Sequence, residues 1–140
     1  MLLAKMSILE LCGWIELSFD EIILSCAKRN LRDAATLKFI KKDVIDKTYG
    51  FEYEKHFTGM LIRLIGMIEF ERLEKKVNPA KLAKFKAALG RLKVERNNEA
   101  HTYIKGTTRT LIAPSVVQSL LNDVDEGLTE FEALVRSIKR

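Results

Sequence analysis

Residues 8–29 read ILELCGWIELSFDEIILSCAKR, and the spacing of their apolar side chains is helical. Apolar residues recur at alternating steps of four and three, which is typical of a helix packed in a bundle. These positions are Ile8, Cys12, Ile15, Phe19, Ile22 and Cys26. We therefore predict a long first helix, from about Met1 to Arg29, that contributes this row of side chains to the core.

A second apolar face of the same helix needs its own explanation. Trp14 and Leu17 lie between Glu10 and Glu21, on a side that would be polar in a simple surface helix. A helix that is apolar on two sides must bury both of them. Two interpretations remain open: the rest of the chain wraps this helix, or a second copy covers it in a homodimer. Gly13, beside Trp14, would allow a close approach.

The middle of the chain is expected to form two more helices, over residues 31–47 and 56–77. The first of them carries Lys38, Lys41 and Lys42, which are either a solvated face or a contact for nucleic acid. His56 stands at the entrance of the next helix, where we expect a surface or capping group, with a functional role as the alternative. Apolar side chains cover most of that helix's circumference and predict an interior position for Met60, Leu61, Leu64, Ile65, Met67, Ile68 and Phe70.

Two further helices complete the prediction. Asn78 and Pro79 are a typical helix start, with asparagine as the cap and proline in the first turn, and Gly90 could bend or break this helix. Ser115 and Gln118 form a capping box for the last helix. Its apolar positions again step by four and three: Val117, Leu121, Val124, Leu128, Phe131, Val135 and Ile138. We predict one all-α domain over residues 1–140, an antiparallel bundle of four or five helices.

Composition limits the class of protein. The chain has 140 residues, of which 47% are hydrophobic and 31% charged, which is ordinary for a globular domain. Its net charge of +5 permits an anionic partner without requiring one. Cys12 and Cys26 would lie roughly 21 Å apart on one helix, too far to pair, so we expect buried free thiols in a reducing compartment. With no signal peptide recognised and no apolar run long enough to span a membrane, a cytoplasmic location is expected.

The candidate functional segment covers residues 92–103, LKVERNNEAHTY. His101 offers an imidazole for acid–base chemistry near neutral pH, and Arg96 is the nearest guanidinium. Asn97, four residues before His101, shares a helix face with it and could orient the ring. Arg96 lies about 140° away from His101 on a regular helix. Its long side chain, or a helix break at Asn97 and Asn98, is needed to bring both charges to one phosphate.

This segment resembles the signature of the HEPN superfamily of helical ribonucleases, in which a polar residue follows the arginine of an Arg-x4-His motif. The string RNNEAH and the following loop IKGTTRTLIAPS look most like the RiboL-PSP branch. The resemblance is best from about Lys93 to the C-terminus, whereas the first half matches mainly in being helical. It implies a homodimer whose active site lies between protomers.

The resemblance also implies roles for single residues. Arg96 matches the arginine that contacts phosphate, His101 the histidine of proton transfer or substrate positioning, and Asn97 the supporting polar position. Tyr103 matches a tyrosine that receives nucleotidyl groups in HEPN–MNT toxin pairs, but the loop after it departs from those pairs. Lys93, Tyr103, Lys105 and Arg109 are our candidate RNA contacts.

The chemistry that fits is RNA cleavage by transesterification. A base removes the ribose 2′-hydroxyl proton, the oxygen attacks the adjacent phosphate, and an acid protonates the departing 5′-oxygen. Arginine would stabilise the charge that grows on the phosphoryl oxygens. No metal or other cofactor is expected, since clustered ligands for a metal are not found in the sequence. One chain supplies one histidine here, so a twofold dimer would supply both the base and the acid.

We therefore expect a metal-independent endoribonuclease, a toxin or antiviral effector with an RNA substrate and an antitoxin or inhibitor protein as a further partner. Two alternatives stay open. The chain could be a non-catalytic HEPN-like module that binds RNA or protein, or a helical adaptor whose basic helix, with Lys81, Lys84, Lys86, Arg91 and Lys93, is only a solvated face. Arg96 and His101 would then be surface residues, with His101 pairing with Glu95 or Glu99. Tyr103 would be a packed ring, and Lys105 and Arg109 would keep a loop soluble.

Overall fold

The computed structural model describes residues 8–105 and 112–139, and all regular secondary structure within these ranges is helical. The described ranges contain five α-helices: α1 (Ile8–Asn30), α2 (Ala34–Phe39), α3 (Thr58–Lys76), α4 (Pro79–Lys105) and α5 (Pro114–Arg136). Helix α2 continues as a π-helical stretch over Ile40–Ile45, and a π-helical turn over Tyr53–Phe57 leads into α3. The predicted all-α class is confirmed.

Local sequence determines where two of these helices begin. Asp33 caps α2, because its side chain accepts a hydrogen bond from the backbone N–H of Ala35 at 3.1 Å. Asn78 caps α4 as predicted, because its side-chain oxygen accepts from the N–H groups of Ala80 and Lys81 at 3.0 and 3.1 Å. Each cap satisfies backbone donors that have no partner inside the helix.

The core is formed by the two rows of apolar residues that the spacing predicts. All six predicted positions of α1 are buried, and so are Val117, Leu121, Val124, Leu128, Phe131 and Val135 of α5, while Ile138 packs partly buried beyond its end. Between the helices lies a cluster of aromatic rings: Phe19, Tyr53, Phe57, Phe85 and Phe131. Phe19 and Phe57 stack with their ring centres 4.5 Å apart. Helix α5 approaches α4 closely at Gly127, where a Cβ would collide with the Phe85 ring.

The predicted interior position of α3 is only partly correct. Met60, Leu61 and Phe70 are buried, and Leu64 and Ile65 pack partly buried against the core, but Met67 and Ile68 are each 70% exposed. The cause is Gly66, whose φ of 83° and ψ of 161° interrupt the helix. A φ of that sign is open to glycine and strained for other residues. The apolar pattern of a continuous helix therefore does not carry across it.

Two predicted helix signals are wrong. Gly90 does not bend or break α4, which continues past it. Ser115 and Gln118 do not form a capping box, because α5 begins two residues earlier than that box requires, with Ala113 as the cap position and Pro114 in the first turn. The Gln118 amide instead donates to Asn122 at 2.9 Å.

The second apolar face of α1 is partly covered by its own chain. Trp14 is half-buried and packs against the core, whereas Leu17 is 69% exposed. Gly13 shows no close approach, since a Cβ there would meet nothing within 4 Å. Cys12 and Cys26 are buried and are not joined by a disulfide, as predicted. No helix in the described ranges is both long enough and apolar enough to cross a membrane.

Candidate functional site

The backbone of α4 is helical through the whole candidate segment, from Pro79 to Lys105. The helix break considered at Asn97 and Asn98 therefore does not occur. Positions 96 and 101 remain about 140° apart around the helix axis. Position 101 falls on the side that carries Val94, Asn97 and Asn98, which are all exposed. Within one chain, the arginine and the histidine of the motif thus start from different sides of α4.

Arg96 lies on the inner side of α4 and is half-buried. Its guanidinium carbon lies 4.9 Å from the centre of the Phe51 ring. Phe51 is itself 1% exposed, so the ring is a fixed platform for the cation. An arginine stacked over an aromatic face gains a cation–π attraction and keeps its N–H groups at its edge, where they can donate to an anion.

The segment 51–53 runs beside α4, and each of its residues holds one basic side chain of that helix. Phe51 lies under Arg96, Glu52 accepts from the Lys93 ammonium at 2.8 Å, and the Lys86 ammonium lies 4.8 Å from the centre of the Tyr53 ring. We call these three contacts the anchor row. The hydrogen bond from Lys93 is the main cause that lowers the pKa of the Glu52 carboxyl.

Other cations of α4 are also compensated. Lys81 pairs with Glu130 at 3.7 Å, and Arg91 pairs with Glu95 at 3.0 Å. Helix α4 is the basic helix of the sequence, and in the fold acids from the same helix and from other elements lie against it. Lys93 can contact RNA only by sharing or leaving Glu52.

His56 is the imidazole that the described structure brings near Arg96. Its Nδ1 accepts the backbone N–H of Glu52 at 3.0 Å, which gives His56 the capping role that we predicted. Because Nδ1 is an acceptor, the neutral ring carries its proton on Nε2. Burial lowers the pKa of His56, and Lys55 and Arg96 act in the same direction, while Glu52 and Glu16 oppose them. Gly50, at φ 130°, lets the loop pass against the ring, where a Cβ would collide with it.

The structure describes the other predicted site residues to different extents. Asn97 is exposed on α4. His101, Tyr103 and Lys105 belong to the helical backbone, but their side chains lie outside the described part of the structure, and Arg109 lies outside the described residues altogether. The meeting of Arg96 and His101 at one phosphate therefore stays a prediction.

A group of acids lies on the flank of α1. The pKa of Asp20 is raised to about 6, mainly by burial and also by the negative charges of Glu16 and Asp46.

Within residues 8–105 and 112–139, no three or more histidine, cysteine, aspartate or glutamate side chains are grouped so that they could hold a metal ion.

Sequence reasoning missed Phe51, Glu52 and the nearness of His56 to Arg96. The one available signal for His56 was the scarcity of histidine, since the chain contains only two. Its position beside Arg96 depends on how residues 48–52 fold back on α4, and no local spacing encodes that.

Comparison with known proteins yields no match to a family model, to a curated protein or to a solved structure.

Proposed function

We propose that this protein is a metal-independent endoribonuclease of the HEPN type that acts as a homodimer. The observation that carries the proposal is the string RNNEAH at residues 96–101, at the end of a long helix in an all-helical chain. Arg96 would bind and stabilise the phosphate, His101 would transfer a proton, and Asn97 would orient the imidazole. The protein would act as a toxin or antiviral effector restrained by an antitoxin or inhibitor protein.

The register of α4 supports a composite site. Position 101 shares a helix side with Val94, an apolar residue that is 54% exposed. Leu9 and Leu17 of α1 are 51% and 69% exposed. A second copy of the chain that covered these side chains would remove their apolar surface from water, which favours association. A twofold pair would supply two imidazoles and two guanidiniums to one cleft, which provides both the general base and the general acid.

Arg96 has features that suit phosphate binding. Its guanidinium is supported by a buried ring, so less side-chain entropy is lost when it binds an anion. It is also partly removed from water, where a charge acts more strongly on a developing oxyanion. A lysine at this position would keep the charge and lose the planar fork that binds two phosphoryl oxygens.

The test is incubation of purified protein with total cellular RNA in the presence of EDTA, followed by analysis of the new RNA ends. We expect wild type to leave 2′,3′-cyclic phosphate and 5′-hydroxyl ends. His101→Ala and Arg96→Lys should each reduce cleavage at least about a hundredfold, the usual range for losing a general acid or base or an electrostatic stabiliser.

Arg91→Ala is the matched control, because it removes an exposed cation from the same helix, outside the motif. It should cut as wild type does. If wild type and His101→Ala cleave RNA at equal rates, the activity comes from a contaminating nuclease and the assignment of His101 to the active site is contradicted.

One observation favours the adaptor alternative. Much of the basic face of α4 is already neutralised within the fold, through Glu52, Glu95 and Glu130. A helix of this kind can be a solvated surface with no nucleic-acid partner. That alternative predicts no cleavage and no RNA binding that weakens with added salt.

A further inference from the structure

A basic basin lies between the end of the π-helical stretch and the beginning of α3. It is an open depression of about 390 Å³. Four basic side chains line it, and no acid does: Lys47, Lys55, His56 and Arg63. Thr48, Tyr49, Gly59 and Met60 complete the wall.

The charges of this basin are less compensated than those of α4. Lys55 and Arg63 are exposed, and neither forms an ion pair with a residue in the described part of the chain. Lys47 pairs with Asp43 at 3.2 Å, but both side chains are exposed to solvent, where such a pair is weak. Two lysines and one arginine around one concave surface raise the local concentration of anions.

His56 adds a directional donor to this basin. Its Nδ1 is occupied by the Glu52 N–H, so the proton of the neutral ring is on Nε2. This Nε2–H has no hydrogen-bond partner among the described residues. An N–H group beside three cations is suited to a phosphate oxygen.

Tyr49 gives the basin an aromatic surface. It is 81% exposed, the highest exposure among the large apolar or aromatic side chains of the described ranges. A solvent-facing ring next to cations is the usual arrangement for a nucleobase that stacks while its phosphate is held beside it. A free phosphate ion would make no use of this ring.

The basin is also connected electrostatically to the candidate site. His56 lines the basin, and the positive charge of Arg96 acts on the same imidazole. The basin and Arg96 thus have His56 in common: the ring lines one and lies within the electrostatic reach of the other.

We propose that this basin is a subsite for single-stranded RNA, in which Lys55, Arg63 and His56 hold a backbone phosphate and Tyr49 stacks on the adjacent base. The identity of the strand as RNA rests on the proposed function. The subsite itself would bind the strand away from the bond that is cut.

The experiment measures binding without cleavage. The probe is a fluorescein-labelled oligomer of twelve 2′-O-methyluridines, whose blocked 2′-oxygens prevent transesterification, and the readout is anisotropy at several salt concentrations. The test variant is Lys55→Gln/Arg63→Gln. The control is Arg72→Gln/Lys75→Gln, which removes the same two charges from exposed positions on α3 outside the basin.

We expect the basin variant to bind about tenfold more weakly than wild type, with the slope of log K against log salt reduced by about 0.7, the value for one lost single-strand phosphate contact. The control should stay within about twofold of wild type. Tyr49→Ala should weaken binding about fivefold or more, and Tyr49→Phe should restore it, because phenylalanine keeps the stacking face.

Three results would overturn the proposal: no binding by wild type, equal losses in the basin and control variants, or displacement of the oligomer by uridine 5′-monophosphate at equal concentration, which would show a site for free nucleotides. The outcome is separable from that of the proposed function. If the basin variant selectively loses binding and the wild type cleaves no RNA, the subsite is supported and the proposed endoribonuclease activity is contradicted. If cleavage requires His101 while the basin variant binds and cleaves RNA as wild type does, the endoribonuclease is supported and the subsite is contradicted.

Discussion

The guanidinium carbon of Arg96 lies 4.9 Å from the centre of the buried Phe51 ring. The arginine of the motif is thus positioned by a side chain from a distant loop as well as by its own helix. Its direction is set by packing against Phe51, and its positive charge contributes to lowering the pKa of His56. This contact is the most specific structural relationship that the described chain offers for the candidate site.

The cation–π contact between Arg96 and Phe51 can be measured with a double-mutant cycle. We expect Phe51→Leu and Arg96→Met to be coupled by about 0.5–1 kcal/mol in the free energy of unfolding, because either change alone removes the attraction. Urea unfolding of the two single variants and the double variant gives the value. A coupling energy of zero would show that the two groups stack without attraction.

Asp20 should make stability fall as the pH rises. Its pKa is raised from 3.8 to about 6 in the folded protein, so the folded state holds the proton more tightly than the unfolded state does. The contribution is fully present below pH 3.8 and is lost as the pH rises through about 6. Asp20→Asn should therefore stabilise the protein at pH 7.5, by about 1 kcal/mol after allowing for partial exposure.

Thermal unfolding at pH 7.5 and pH 4 tests this expectation. The advantage of Asp20→Asn should largely disappear at pH 4, where the wild-type carboxyl is also protonated in the fold. Asp125→Asn, an exposed carboxyl on α5, serves as the control. A variant that is as stable as wild type at both pH values would contradict the assigned burial and repulsion from Glu16 and Asp46.

Gly127 should be intolerant of even one added methyl group. A Cβ at this position would collide with the Phe85 ring in the aromatic cluster. Gly127→Ala should lower the free energy of unfolding by about 1–3 kcal/mol, the usual cost of overpacking. Gly90→Ala is the comparison, because a Cβ there meets nothing within 4 Å and the position is exposed on α4.

Since alanine is the better helix former, Gly90→Ala should instead gain about 0.5–1 kcal/mol. Urea unfolding of both variants is sufficient. Equal effects of the two changes would mean that α4 and α5 are not in close contact at Gly127.

Leu17 tests the homodimer. It is 69% exposed on α1, opposite the core row, and would be buried by a second copy. Light scattering on wild type should give about twice the chain mass of 16.0 kDa, and Leu17→Glu should give the single mass, because a buried carboxylate is costly without a partner. Ala133→Glu, at an exposed position of α5, should leave the mass unchanged. If wild type is a monomer in solution, the proposed active site shared between two protomers is contradicted.

The core of the fold could be predicted from sequence because it depends on periodicity. The rows of α1 and α5 repeat every three or four residues, and a helix with such a row has one way to bury it. Met67 and Ile68 escaped the same reasoning, because the positive φ of Gly66 shifts the register and only the folded chain shows which conformation a glycine takes. The capping box at Ser115 failed because Pro114 suits the first turn, which moves the cap to Ala113.

The candidate site was predictable only along α4. Spacing alone gives the 140° separation of positions 96 and 101, and the unbroken helix keeps it. The contacts of Arg96 with Phe51, and of Lys93 with Glu52, join residues that are distant in sequence. The sequence does not show that Arg96 and Lys93 have partners, because Phe51 and Glu52 come from another part of the chain.

The anchor row has a consequence for how the protein opens. Its three contacts come from consecutive residues, and Phe51 and Tyr53 are both buried, so one contact cannot be released far without disturbing the next. The amide protons of residues 51–53 should therefore exchange with deuterium in one step of common free energy. Such an opening would release the guanidinium of Arg96 and the ammonium groups of Lys93 and Lys86 from their partners together. This face of α4 would then present three uncompensated positive charges in a single step.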